Sequence, residues 1–364
     1  MILYLFITAL TVTMAFFINS AYVGQQNNRS GRERQRFLNL LLVVGIFVIL
    51  FALSALRIGI GNDYWPYRDS FRYIWGGDRK ISYEFGFRYL VLFLQKIFGF
   101  DNYRVIFAVM AFLTCAFFLK GMYDTSDWFA MTFILFMANG FYFMSFSNVR
   151  YYLALAISMF SLRYVLQKDF VKFVFWILMG ALFHKTILLV IPVYLTAYYL
   201  KWNRRTVWLI PAACCALLAG KPLIRKLLFV FYPFYQGDLI LDVESVSYIN
   251  IAKCLAILIF ALIFYKKGVR GNPKAEMCFN LNLFATILYS FGYYILQTSR
   301  ICYYMVLGQI FLVPMVLRSI ENKLLRRLCT GTILVAYLIY FLVFLERGKQ
   351  SGIMILPYMT WLFT

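Results

Sequence analysis

The chain contains a single histidine, His184, and it stands inside an apolar run from Phe173 to Leu200. Imidazole titrates near neutral pH, so at this position it can take a proton from an attacking hydroxyl. Arg57, Arg150 and Arg300 stand at the ends of other long apolar segments. A guanidinium is a planar fork of donors suited to phosphate and diphosphate oxygens. Several around one cavity would hold a diphosphate and offset the charge that builds on it as it leaves. Asp63, in Gly61-Asn62-Asp63-Tyr64, is a second candidate base, equally able to orient the histidine or bind a sugar hydroxyl. Plainer readings stand beside these. Arginines at helix ends anchor by snorkelling, a histidine in an apolar run often only bonds a neighbouring helix, and Asp63 suits a turn or cap. An ionisable group at membrane depth is nevertheless costly and marks function by default.

The elements that position these residues follow from composition. Of 364 residues, 63% are hydrophobic and only 14% are charged, where a soluble chain carries about 25%. Apolar stretches such as Ile2 to Ile18, Leu38 to Leu56, Ile249 to Tyr265, Cys278 to Leu296, Ile301 to Leu317 and Cys329 to Leu345 approach the length of a bilayer crossing. The expected fold is an all-α polytopic integral membrane helical bundle of about 12–14 hydrophobic segments, a single domain over residues 1–364. The first segment lacks the basic region and cleavage pattern of a signal peptide, so it is expected to stay as a transmembrane helix. The seven cysteines have no metal spacing, and neither a metal nor another cofactor is expected. The aromatic residues, 20% of the chain, suit lipid-facing surface and interfacial belts.

Charge sets the expected sidedness. Basic clusters recur at Arg29 to Arg36, Arg163 to Lys172, Lys201 to Arg205, Lys266 to Lys274 and Arg318 to Arg327. The positive-inside rule puts such short loops in the cytoplasm, and an outside amino terminus makes the alternation consistent. The acidic loop Asp238, Asp242 and Glu244 then falls outside, as does the polar stretch Arg57 to Phe85. Residues 85–100 begin and end outside, which predicts an outer interfacial helix. The run Phe173 to Leu200 begins and ends inside, which predicts a re-entrant or broken helix pair turning at His184, tolerated where it lines a cavity. Arg57, Arg150, Arg300 in the turn Gln297-Thr298-Ser299-Arg300, and His184 then converge on one outer face. Orientation and anionic lipid account for the basic loops without nucleic acid. Asn28-Arg29-Ser30 is a silent, inside sequon, and Gly59-Ile60-Gly61 fails as a dinucleotide fingerprint because it lacks the third glycine.

The segment Arg57 to Tyr67 resembles the R-x-x-x-G-x-D-Y-x-x-Y pattern of EpsG-type proteins, Wzy-like polymerases of bacterial surface polysaccharides. Glu84-Phe85-Gly86-Phe87 resembles their E-x-G-F, Asn148-Val149-Arg150-Tyr151 their x-x-R-Q helix start, Phe183-His184-Lys185-Thr186 their F-H-x-S, and Arg300 to Tyr304 a late R-x-x-Y-F turn. Tyr151 stands where glutamine is usual, and Thr186 where serine is common. The first departure removes an amide, whereas the second keeps a hydroxyl. The resemblance implies a polymerising glycosyltransferase that joins undecaprenyl-diphosphate-linked oligosaccharide repeat units at the outer face of the bacterial inner membrane, inverting and without metal. It implies Arg57, Arg150 and Arg300 on the diphosphate, His184 as base supported by Asp63, and Tyr64, Tyr67, Glu84, Asn148 and Tyr303 as sugar or support residues. The implied partners are the lipid-linked oligosaccharide, membrane lipid and a chain-length regulator protein.

Other classes fit less well. A lipid-linked sugar flippase would carry a cationic path through the full depth and often repeated halves. An acyltransferase would need its histidine open to the cytoplasm. A ligase of the O-antigen type uses nearly the same site, and a large outer loop would favour it; the outer loops here are modest.

Overall fold

Backbone at membrane depth must satisfy its own N–H and C=O groups, so apolar segments of this length fold as helices. The computed structural model describes residues 1–18, 29–74, 83–224, 226, 246–295, 298–350 and 353–362. Among the described residues the regular structure is helical, with one isolated bridge pairing Arg57 with Thr360. Among the described residues, five helices are long and apolar enough to cross a membrane: Gly31–Ala55, Arg104–Thr125, Val149–Leu166, Thr298–Ser319 and Lys323–Arg347. Shorter apolar helices accompany them. The protein is an all-α, multi-pass membrane bundle. Asp238, Asp242, Glu244, Asn28 and Gln297 lie outside the described residues.

Contacts divide the chain into two compact units, Met1–Leu188 with Asn322–Thr364, and Leu189–Glu321. The first unit contains α1 (Ile2–Phe16), α2 (Arg29–Ala55), α3 (Tyr64–Tyr73), α4 (Phe85–Phe98), α5 (Arg104–Thr125), α6 (Phe129–Ala138), α7 (Phe141–Met144), α8 (Val149–Leu166) and α9 (Phe170–Ala181), closed by the helix Lys323–Arg347. Its centre is α8, buried along nearly its whole length and packed on α5 and α9. Gly121 permits the approach of α5, since a Cβ there would lie 3.0 Å from the Phe160 amide nitrogen.

The last residues of the chain strap the loop after α2. The amides of Ile58 and Gly61 donate to the carbonyls of Met359 (3.0 Å) and Met354 (2.8 Å), and the Trp361 amide donates to Leu56 (3.2 Å). Tyr4 donates to the Ile355 carbonyl (2.7 Å) and Tyr358 to that of Leu53 (3.0 Å).

The second unit contains α10 (Val190–Tyr199), α11 (Leu209–Ala219), α12 (Tyr248–Ile263), α13 (Tyr265–Gly268), α14 (Pro273–Phe291), α15 (Thr298–Val306) and α16 (Gln309–Ser319). α14 starts where the Asn272 side chain accepts from the Lys274 and Ala275 amides with Pro273 at the first helical position. It packs on α10, α12, α15 and α16. Buried amides join these helices. Gln309 Nε2 donates to Asn282 Oδ1 (2.7 Å), Asn282 Nδ2 to the Cys254 carbonyl (3.0 Å), and Asn280 Nδ2 to the carbonyls of Ala197 (2.8 Å) and Leu200 (2.9 Å).

The segment at 85–100 is helical over α4, about 21 Å long at 1.5 Å per residue. It turns Phe85, Tyr89, Phe93 and Ile97 outward and buries Phe87, Val91, Leu94 and Gln95. Around the histidine the helix is broken. α9 ends at Ala181, His184 stands in the interruption, and a 3-10 turn runs from Lys185 to Leu189 before α10 begins. At 12 and 10 residues, α9 and α10 span about 18 and 15 Å, short of the ~30 Å bilayer core. The second unit also shifts one sequence expectation. Arg300 is helical, in the first turn of α15, and the Thr298 hydroxyl at the head of that helix donates to the Gly292 carbonyl (2.7 Å).

Candidate functional site

Four short segments of the first unit meet around the start of α8. Asn148 caps that helix, its side chain accepting from the Tyr151 amide (3.4 Å), which fixes Arg150 in the first turn. The loop 57–63 packs against residues 146–148. The Asn62 amide donates to Ser147 Oγ (2.9 Å), and Gly61 leaves no room for a Cβ, which would sit 2.2 Å from the Phe146 carbonyl oxygen. Gly59 and Gly61 adopt φ of +63° and +96°, a left-handed backbone that glycine accepts without strain. The two glycines that fail as a nucleotide fingerprint thus serve this turn.

Arg57 follows α2 and is enclosed, 1% exposed. Nη1 donates to the Ser54 carbonyl and to Ser54 Oγ (2.9 Å), and Nη2 to the Phe146 carbonyl (3.3 Å). The Phe146 and Phe107 rings lie 4.9 and 5.3 Å from its Cζ. Burial pushes its pKa down to about 10, opposed by the surrounding tyrosines Tyr142, Tyr64, Tyr4 and Tyr358, so it stays charged at neutral pH. Both of its Nη groups are spent on the protein, and it braces the loop against residues 146–148.

Arg150 is placed differently. Its side chain is 17% exposed and ion-pairs through Nη1 with Glu84 Oε2. Nε donates to the Tyr67 hydroxyl (3.2 Å), which in turn donates to Asn148 Oδ1 (3.4 Å). The rings of Tyr83, Phe87 and Tyr67 stand 4.4, 5.4 and 5.6 Å from its Cζ. This is a cation held in an aromatic wall. Burial raises the Tyr67 phenol above its ordinary pKa, Arg150 opposes that rise and Asp63 adds to it, so the hydroxyl remains a donor. Asp63 heads α3 at its N-cap position and is half-buried. Tyr64, next along, is buried and stacks on Phe107 with ring centroids 4.4 Å apart.

His184 reaches the same place from α9. The amides of Gly86 (2.9 Å) and Phe87 (3.3 Å) donate to the Leu182 carbonyl, and the Lys185 amide donates to Glu84 Oε1 (3.4 Å). The imidazole is 8% exposed. Its Nδ1 lies 2.7 Å from Thr186 Oγ1, and its ring meets that of Tyr151 edge-on at 5.3 Å. Glu84 therefore touches both Arg150 and the turn that carries the histidine.

Of the sequence-predicted residues, Arg57, Asp63, Tyr64, Tyr67, Glu84, Asn148, Arg150 and His184 all belong to this cluster. Arg300 and Tyr303 lie in α15 of the second unit, both half-buried. Sequence reasoning missed Tyr83 and Phe87 as walls, Tyr151 as the packing partner of the imidazole, and the carboxy-terminal strap. The hydroxyl that Thr186 keeps in the F-H-x-S pattern is the one that meets His184 Nδ1. Among the described residues, no three His, Cys, Asp or Glu side chains gather as a metal site would require.

No curated protein and no solved structure matches this chain. The sequence model of the EpsG family does match, over residues 40–360, a span that takes in every segment of the cluster. With most of its length so matched, the chain belongs to the EpsG family.

Proposed function

We propose that the protein is a polymerising glycosyltransferase that joins oligosaccharide repeat units carried on undecaprenyl diphosphate, at the outer face of the bacterial cytoplasmic membrane. Family membership supports a polysaccharide-polymerase role. The carrying observation is the Arg150–Glu84–Lys185 connection, which ties a partly exposed guanidinium to the turn that carries the only imidazole of the chain. In this reading a hydroxyl of the incoming unit attacks the anomeric carbon of the growing chain. The new C–O bond forms as the bond to the diphosphate oxygen breaks and its electron pair leaves with undecaprenyl diphosphate. The hydroxyl proton passes to His184 Nε2, with Nδ1–H donated to Thr186. Arg150 holds the diphosphate and offsets its growing charge. The sequence assigns Arg300 the same ligand, and the R-x-x-Y pattern assigns Tyr303 to its support. Arg57 holds the loop that presents Asp63 for sugar hydroxyls, with Tyr64 and Tyr67 as buried supports behind it. Membrane lipid surrounds the bundle, and a chain-length regulator acts with it.

The test is a purified assay with lipid-linked repeat units. His184→Ala and Arg150→Ala should leave a folded membrane protein that returns single repeats, with rates down on the order of 10²-fold or more. Long chains made by the His184 variant at the normal rate would remove the imidazole from the mechanism.

A further inference from the structure

Glu84 and Arg150 form an ion pair at the point where the proposed function puts a diphosphate. Their side chains are 14% and 17% exposed, so the pair is largely shielded from water. The Glu84 carboxylate uses both oxygens, Oε2 on Arg150 Nη1 and Oε1 on the Lys185 amide. Nε of Arg150 is committed to Tyr67. A bidentate grip on a phosphate needs two parallel N–H donors of the guanidinium, and through its Nη pair that grip requires Glu84 to give up Nη1. The two donors that Glu84 now satisfies also face one acceptor group from two segments, residues 149–150 and 184–185. Two anionic oxygens on one small group are what such a pair of donors takes.

We propose that Glu84 is an internal stand-in for the substrate's phosphate: it occupies the anion seat formed by Arg150 Nη1 and the Lys185 amide, and the diphosphate displaces it on binding. This rests on the reading of Arg150 as a diphosphate ligand. In the substrate-free protein, Glu84 keeps a shielded guanidinium neutralised and pins the histidine turn beside it. On displacement the carboxylate is freed next to the acceptor sugar, whose hydroxyls it can hold. Glu84 is thus a positioning residue with opposed effects on affinity and turnover. A residue that merely held the fold, or contributed directly to diphosphate affinity, would weaken binding when neutralised. A stand-in tightens it.

The experiment measures inorganic diphosphate binding to the full chain in detergent by calorimetry. Glu84→Gln keeps the shape and removes the competing charge, so it should bind diphosphate on the order of tenfold more tightly than the wild type, the scale of one lost charged competitor. Its kcat should fall and its KM for lipid-linked repeats should fall with it. Glu84→Asp, which keeps the charge, should show no such gain, and Arg150→Ala added to Glu84→Gln should abolish it. In the wild type, carbodiimide labelling of Glu84, read by mass spectrometry, should speed up when diphosphate is present. Equal or weaker binding by Glu84→Gln, or labelling slowed or unchanged by diphosphate, overturns the displacement. If Arg150→Ala still weakens wild-type binding in that case, the diphosphate assignment survives without it. Diphosphate binding indifferent to Arg150 removes both.

Discussion

His184 owes its orientation to two neighbours that differ from the pattern it resembles. Thr186 supplies a hydroxyl at hydrogen-bond distance from Nδ1, and Tyr151 closes the other side with its ring. A hydroxyl that fixes one ring nitrogen decides which tautomer presents the other. Thr186→Val keeps the volume and loses that bond, and misplacement of this kind lowers kcat by up to about a hundredfold. Thr186→Ser should stay close to wild type in the same chain-elongation assay, and an active valine variant would show that the hydroxyl does not orient the base. The arginines divide in the same manner. Arg57 and Arg150 read alike as cations at helix ends, but the first is enclosed on carbonyls and the second is paired, partly open and walled by rings.

At the scale of elements, the site depends on close backbone approach between segments that are individually unremarkable helices and turns. Residues 84–87 fasten the histidine turn through the Leu182 carbonyl, and Gly86 makes this possible. A Cβ at Gly86 would lie 2.5 Å from the Leu182 Cβ and 2.8 Å from its carbonyl oxygen. Gly86→Ala should therefore push α4 and the turn apart, and chain elongation should drop about tenfold or more while the protein still inserts. Gly99→Ala is the control. It has φ +83° and ψ 168°, a conformation essentially confined to glycine, but nothing within 4 Å of the added methyl, so it should lower the thermal midpoint by the equivalent of about 1–3 kcal/mol and leave turnover alone. Equal loss in both variants would mean that the Leu182 contact has no special part.

For the whole molecule, the sidedness expected from the basic loops has a direct consequence along α9. Lys172 lies in its first turn and Lys185 just beyond its break, both exposed. In a cysteine-free background, an impermeant maleimide added to intact cells should label Lys185→Cys from outside, and Lys172→Cys only after permeabilisation. Labelling of both from one side would reverse the proposed orientation and with it the outward-facing site. The helix is about 18 Å long, so an outside reagent that reaches residue 185 has to enter a cavity open to that face.

The class of the protein, its helices, the break at His184 and most members of the cluster were legible in the chain itself. Those features depend on local quantities: the length of apolar runs, the rarity of charge at depth, the alternation of basic loops, and short motifs within single segments. What Arg57 and Arg150 each face, the pairing of Glu84 with both Arg150 and the histidine turn, and the strap of residues 353–362 over the loop after α2 were decided only in three dimensions. Each of these joins segments far apart in sequence. Their registration is set by how closely particular backbones can approach, as at Gly61 and Gly86, and hydropathy and spacing along the chain do not encode that distance.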